Sequence, residues 1–222
     1  NRLMFYFPSR MAAGDCIADK LEPRYRYEDC VVLALGDGAA VVGSAIARRL
    51  HCAINMLLLE PIQLPRETEA IASINNFGQI VFNDKFSPGE LEAMKSEFFS
   101  YIEQQKTQKL FEINALIGSG GITDPNMLRY RNVVVVSDGL VNGFSMRAAA
   151  EFLKPIKIQR MIMATPFASV AAVDQMHMMA DEIVCLNVNE NIISIDHYYN
   201  DTPPPSHETV IRTIENIILQ RK

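Results

Sequence analysis

The chain has 222 residues, 49% of them hydrophobic, enough for one substantial core and short for two full domains, so a single domain over 1–222 is expected. Its net charge is −5, from 21 Lys and Arg against 26 Asp and Glu, and no dense basic run with interleaved aromatics occurs, which argues against nucleic acid as a partner. No apolar run reaches the roughly 18 to 20 residues of a bilayer span, the Phe5–Phe7 patch is too short for a signal-peptide core, and Cys16, Cys30, Cys52 and Cys185 form no C-x-x-C pair; a cytoplasmic chain with reduced thiols and no membrane contact is expected.

Strands and helices alternate along most of the length. The pattern predicts an α/β fold with a mainly parallel sheet covered by helices on both faces. Ser9 is placed to cap a helix running to about Leu21. A buried strand is expected over Val31–Leu35, a helix over Ala40–Leu50 and a second strand over Ile54–Leu59, which together make one right-handed βαβ unit. Glu69–Ile74 and Gln79–Phe82 flank Asn75-Asn76-Phe77-Gly78 and read as a hairpin, a small antiparallel insertion. Ser87-Pro88-Gly89-Glu90 then has the form of a capping box with proline at the first helical position, and Leu91, Met94, Phe98 and Ile102 form a core stripe on one long helix. Residues 114–131, with Gly118-Ser119-Gly120-Gly121 and Asp124-Pro125, read as a mobile loop. Further on, a helix is expected over Gly143–Leu153, a strand over Arg160–Ala164, a helix over Ser169–Met179, strands over Glu182–Leu186 and Ile192–Ile195, and a last helix after Pro203-Pro204-Pro205-Ser206.

The segment with the most chemistry is Val133 to Met146. Four valines run into Ser137, Asp138, Gly139, Leu140, Val141, Asn142, Gly143, Phe144 and Ser145, which is a strand, a glycine-punctuated turn and a helix start. Backbone amides and the positive end of the helix dipole at such a turn suit a phosphate, and the Ser145 hydroxyl adds a donor. Asp138 stands at the carboxyl end of the strand. The bland alternative is an ordinary β-to-α connection that binds nothing.

This segment resembles the phosphoribosyl pyrophosphate (PRPP) loop of type I phosphoribosyltransferases, an apolar run followed by two acids and a Thr-Gly-x-Thr-like turn. Other segments match the same family in the same order. Phe7-Pro8-Ser9-Arg10-Met11-Ala12-Ala13-Gly14 resembles its opening F-x-x-R-x-x-A-G, and Leu33-Ala34-Leu35-Gly36-Asp37-Gly38 stands where a Leu-Pro-Arg-Gly-Gly loop would be. Glu69-Ala70-Ile71-Ala72-Ser73-Ile74 resembles E-L-A-x-G-A. Ala180-Asp181-Glu182-Ile183-Val184-Cys185-Leu186 and His197-Tyr198-Tyr199-Asn200-Asp201 resemble A-D-E-V-V-x-L and W-Y-x-D-F. The resemblance, to the stand-alone phosphoribosyltransferases predicted in bacteria, covers nearly the whole chain.

What the resemblance implies is a ribose 5-phosphate or nucleotide ligand, held by Asp138 as the catalytic acid, by the turn from Ser137 to Ser145, and by Gly36, Asp37 and Gly38. The departures are specific. The family is expected to grip pyrophosphate with an arginine in the first glycine loop and an Arg-Lys pair closing the second strand; here those places hold Asp37 and Leu59-Glu60. At roughly 4 Å and an effective dielectric near 20 each unit charge is worth about 4 kcal/mol, so two sign reversals are enough to remove most pyrophosphate affinity. Ser137 replaces one of the two acids, which weakens metal binding and stabilisation of an oxocarbenium-like centre. The resulting expectation is a weakly active or inactive transferase that keeps the sugar-phosphate end of the site. The alternative is an active enzyme in which magnesium bridges Asp37 or Glu60 to phosphate and assists displacement of pyrophosphate by a nitrogen nucleophile.

A second alternative is a dinucleotide site. Gly36-x-Gly38 follows a strand and opens a helix, and Glu60 comes about 20 residues on, but Val41 stands in place of the third glycine. His51, His177, His197 and His207 show no metal-ligand spacing and read as surface or packing residues. Met161, Met163, Met176, Met178 and Met179 read as core filling, with a homodimer contact as the alternative. Tyr198 and Tyr199 are expected to pack with their hydroxyls partnered rather than to stack a base.

Overall fold

In the computed structural model, residues 6–117, 124–200 and 205–219 are described, without the side chains of 117 and 217–219. Helix α1 (Arg10–Tyr25) is capped as expected by Ser9, whose Oγ accepts from the Ala12 amide at 2.9 Å. It runs through Pro23 beyond the expected end at Leu21, because Tyr25, only 2% exposed, holds the last turn in the core. Strand β1 (Cys30–Ala34) leads into α2 (Asp37–Leu50), which starts at Asp37 rather than Ala40, directly after the Gly36 turn.

The expected strand Ile54–Leu59 is two strands. β2 (Ala53–Met56) ends first, and Leu59 opens β3 (Leu59–Ile62) in a different sheet. β4 (Ala72–Asn75) and β5 (Ile80–Phe82) form the expected hairpin, closed where Asn75 Oδ1 accepts from the Phe77 and Gln79 amides at 2.9 and 3.1 Å. β3 pairs antiparallel with β4 on the outer edge, where Pro61 is tolerated because an edge strand has one row of unpaired backbone groups.

Helix α3 (Pro88–Glu97) carries the predicted capping box. Glu90 donates its amide to Ser87 Oγ at 3.2 Å, and Glu90 Oε2 accepts from the Ser87 amide at 2.7 Å. Ser87→Ala is expected to cost about 1 kcal/mol in urea unfolding; a midpoint unchanged from wild type would refute a stabilising cap. The helix is not continuous as expected: Phe98 (φ −109°, ψ 26°) separates it from α4 (Phe99–Ile117). Of the expected core stripe only Ile102 is buried, at 6% exposure. Leu91, Met94 and Phe98 are half-buried.

Of the loop expected over 114–131, residues 114–117 instead continue α4, 118–123 with Gly118-Ser119-Gly120-Gly121 lie outside the described residues, and Asp124 caps a short 3-10 turn over Pro125–Leu128, its Oδ1 accepting from the Asn126 amide at 2.9 Å. Then follow β6 (Asn132–Val136), α5 (Phe144–Leu153), β7 (Arg160–Ser169), α6 (Val170–Met179), β8 (Glu182–Asn189) and α7 (His207–Leu219). The expected strand Ile192–Ile195 does not form. Ile192 and Ile195 are apolar because they pack against the cluster of Phe7, Phe167, Tyr198 and Tyr199.

The chain divides into two compact units, Asn1–Met56 with Gly121–Lys222, and Leu57–Gly120. The first holds a five-stranded sheet in the order β2-β1-β6-β7-β8, parallel throughout; the second holds the antiparallel sheet β3-β4-β5. The expected fold class, a mainly parallel sheet with helices and a small antiparallel insertion, is the observed one. Every residue of β1 and β6 is buried, so both faces of the sheet are covered there. α1 and α2 pack on each other, α2 against β1, and α6 against β7 and β8. From β1 the chain passes outward to β2 and later returns to the opposite side of β1 as β6. Between β1 and β6 the connections therefore diverge, which leaves a crevice at the carboxyl ends of these two strands.

Met163 and Met176 fill the core as expected, whereas Met178 is 88% exposed. All four cysteines are free thiols, as expected; Cys30 and Cys52 are buried, Cys185 is half-buried and Cys16 is exposed. No helix among the described residues is long and apolar enough to cross a membrane.

Candidate functional site

The two glycine-bearing segments singled out in the sequence meet at the β1/β6 crevice. The Leu35 amide donates to the Val136 carbonyl at 3.0 Å, tying the exit of β1 to the end of β6. Gly36 precedes α2, Asp37 is its first residue, and Gly38 closes directly on the second segment. A Cβ on Gly38 would stand 2.1 Å from Asp138 Oδ2 and 3.0 Å from Arg10 Nε, so no side chain fits there.

In the turn after β6, Ser137 is 5% exposed and its hydroxyl is used locally, donating to the Gly139 carbonyl at 2.9 Å and accepting from the Gly139 amide at 3.2 Å. Leu140 is buried at 2% exposure, and its backbone is stitched to the end of β7 through Phe167 and Ser169. Val141 is 48% exposed. Asn142 Oδ1 accepts from the Phe144 amide, the first of α5, at 3.0 Å, and the N-cap residue Gly143 supplies no side-chain cap to the amides that follow. The remaining first-turn amides and the Ser145 hydroxyl are thus the groups that an anion would meet. Gly143 is covered by Gln175, since a Cβ there would lie 1.9 Å from its Oε1.

Asp138 has a partner that its position in the sequence does not suggest. Arg10, with a side chain only 2% exposed, donates through Nε to Asp138 Oδ2 at 3.0 Å and through Nη2 to Asp196 Oδ1 at 2.5 Å. Its guanidinium lies 4.4 Å from the centre of the Tyr199 ring, and the Tyr199 hydroxyl donates to the Asp138 carbonyl at 2.6 Å. Tyr198 likewise donates its hydroxyl to the Asn191 carbonyl at 3.3 Å, so both tyrosines pack with partnered hydroxyls as expected. Burial pushes the Asp138 carboxyl above the ordinary aspartate range, while the Arg10 charge and hydrogen bond pull it back. Burial alone would lower the Arg10 value, but the hydrogen bonds to Asp196 and Asp138 outweigh it and the guanidinium is raised. Tyr199→Phe removes one neutral donor and is expected to cost about 1 kcal/mol, read by thermal unfolding. A larger loss of ligand binding than of stability would show that the hydroxyl also positions Asp138.

The other candidate acids lie elsewhere. Asp37 Oδ1 is 2.6 Å from Nδ1 of His207, whose side chain is 9% exposed, so His207 is the partner of a candidate site residue and not a bystander. Glu60 belongs to the second unit, in β3 opposite Ile74. Burial raises the Glu60 carboxyl above the ordinary range, Lys109 opposing and Glu112 adding. A carboxyl raised in the folded state contributes stability below its unfolded value, and that contribution is lost as pH rises through the folded value. Glu60→Gln is therefore expected to be the more stable form at pH 7, with the gap closing as pH falls toward 4.5, the ordinary glutamate value; a gap that widens on acidification would refute this.

A magnesium ion, as the resemblance implies, calls for free carboxylate oxygens. Asp138 is engaged by Arg10, Asp37 by His207, and among the described residues no group of three or more His, Cys, Asp or Glu side chains is placed to hold a metal. The described residues do not fit the ion.

The sequence profile of the Phosphoribosyl transferase domain matches residues 8–203. The chain belongs to that family. Two Mycobacterium tuberculosis proteins, from strains H37Rv and CDC 1551 and each named a "Putative phosphoribosyl transferase", are 25% identical to it over 217 residues, or 96% of this chain. The chain spans about half of their length, 47%. The crystal structure of a Thermus thermophilus protein superposes with a TM-score of 0.73 at 27% identity, covering 96% of this chain and 99% of that one. A structure from Aquifex aeolicus shares the fold, with a TM-score of 0.50 at 10% identity over 92% of this chain and 85% of that one. The family match decides against the dinucleotide-binding alternative. Within a phosphoribosyl transferase domain, Gly36–Gly38 and Asp138–Ser145 are the two segments brought together, and Arg10 and His207 are the contacts that spacing alone did not reveal.

Proposed function

We propose that this chain is one phosphoribosyltransferase-like domain over 1–222 that binds a ribose 5-phosphate or nucleotide moiety and is weakly active or inactive as a transferase. The observation that carries the reading is the contact of Gly38 with Asp138 at the carboxyl ends of β1 and β6, where the sheet opens. With Oδ2 on Arg10, the second oxygen of Asp138 accepts from ribose hydroxyls, and the Asn142–Ser145 turn receives the 5′-phosphate on its amides and the Ser145 hydroxyl. The diphosphate end is the missing half: Asp37 stands where the resemblance implies an arginine, and a carboxylate hydrogen-bonded to His207 offers a pyrophosphate no guanidinium at that position.

The domain acts in the cytoplasm in this reading, with no nucleic acid or membrane partner, and a homodimer would use the exposed Met178 of α6. Titration calorimetry with ribose 5-phosphate and with PRPP, on wild type and Asp138→Ala, tests it. Ribose 5-phosphate binding that needs Asp138, with PRPP no tighter, supports the reading. PRPP turnover with a nitrogenous base at the rate of an ordinary transferase, abolished by Asp138→Ala, refutes the inactive part.

A further inference from the structure

We infer that the sugar-phosphate site is built to work without a divalent metal, because Arg10 is fixed as the counter-ion of Asp138 where a metal would need that carboxylate. The inference rests on the proposed ligand and specifies it: a sugar monophosphate taken up metal-free, not a magnesium diphosphate complex.

Four features support it. The Arg10 side chain is almost completely enclosed and is held on three sides, by Asp138, Asp196 and the Tyr199 ring. A guanidinium stays protonated at every working pH, so this charge does not switch off to admit a cation. Gly38 closes over the pair with no room for a Cβ, so the glycine loop is shaped to the Arg10–Asp138 contact itself. Finally, two other oxygen-bearing side chains of these loops already have partners: the Ser137 hydroxyl, standing where the family carries an acid, bonds to Gly139, and Asp37 bonds to His207.

A hard cation seeks near-octahedral oxygen ligands, commonly one or two carboxylates together with substrate phosphates. Asp138 has one oxygen to offer, and an ion on it would be repelled by the adjacent fixed cation. Arg10, Asp138 and Asp196 together carry a charge of −1 with Arg10 and −2 without it, so the same place turns into a metal site once the guanidinium is lost. Arg10 is a positioning residue here. It fixes one oxygen of Asp138 and leaves the other to a neutral donor such as a ribose hydroxyl.

The test uses the full chain and two readouts. In the first, Mn²⁺ is titrated by electron paramagnetic resonance without any sugar; in the second, ribose 5-phosphate binding is measured by calorimetry in EDTA and in excess Mg²⁺. Wild type and Arg10→Lys should bind Mn²⁺ no better than Asp138→Asn, and their ribose 5-phosphate affinity should change less than about twofold with Mg²⁺. Arg10→Gln should bind Mn²⁺ at least about tenfold more tightly, and its sugar-phosphate binding should come to depend on Mg²⁺. Mn²⁺ binding by wild type that is lost in Asp138→Asn, or wild-type sugar binding that requires Mg²⁺, overturns the inference. Failure of ribose 5-phosphate to bind in either condition overturns the proposed function instead, and the sugar-free Mn²⁺ titration still tests metal exclusion. Should Arg10→Gln not fold, the measurements on wild type and Arg10→Lys decide between the same two outcomes.

Discussion

Arg10→Met is expected to lower the unfolding free energy by about 3–5 kcal/mol, the usual cost of removing one partner from a buried ion pair. The methionine restores volume but leaves the Asp138 carboxylate without its cation and removes the stack on Tyr199. Asp196, with its side chain 53% exposed, is re-solvated and contributes little to the loss. The carboxyl of Asp138 is raised by burial and restrained by Arg10, so in the variant it rises further. Because a raised carboxyl stabilises the fold only while protonated, the deficit of Arg10→Met should shrink as pH falls through the carboxylate range and be largest near neutrality. Urea unfolding of wild type, Arg10→Met, Asp138→Asn and the double variant gives the coupling directly. A coupling near zero would mean that the pair seen in the structure contributes nothing, and the idea would fail.

Gly38→Val is expected to cost roughly 1–3 kcal/mol of stability and to reduce sugar-phosphate affinity by at least about tenfold. The new Cβ would lie 2.1 Å from Asp138 Oδ2, an atom that cannot swing away because Arg10 holds it and Tyr199 fixes the backbone behind it. Either the glycine loop shifts or the ion pair breaks, and both remove the acceptor from its place. Gly89, in α3, supplies the control: a Cβ there meets nothing within 4 Å, so Gly89→Ala should leave binding unchanged and cost no stability, helix propensity favouring alanine by up to about 1 kcal/mol. Equal behaviour of the two variants in calorimetry would exclude Gly38 from the site.

Local chemistry made much of this legible in the sequence. The run of valines into Asp138 and Asn142-Gly143 gave a strand, a turn and a helix start, and Ser87 with Glu90 gave a capping box down to its two hydrogen bonds. Boundaries failed where local pattern carries no information. Met56 to Leu59 reads as one apolar run, and nothing in its periodicity says that the chain leaves one sheet for another there. Ile192 and Ile195 look like strand residues because they are buried against aromatics, a tertiary reason that period-2 reasoning cannot separate from pairing. The two ion-pair contacts at the candidate site were the least visible. Arg10 lies 128 residues from Asp138, and Asp37 lies 170 residues from His207; no spacing rule connects such pairs. For Arg10 the only signal was its place in the Phe7–Gly14 segment that resembles the family, and for His207 there was none.

The pairing of β1 with β6 also bears on how the molecule comes to be made. Asp29 and Asn132, hydrogen-bonded at the start of that pairing, are 103 positions apart, with the whole Leu57–Gly120 unit synthesised between them. Until Val133–Val136 has emerged, β1 has β2 on one side and an open apolar edge on the other, the kind of edge that invites aggregation. Contacts this distant in sequence are slow to form, so closure of the central sheet is the step expected to limit folding. The crevice is completed late, although the arginine that steadies its acid leaves the ribosome long before that acid does.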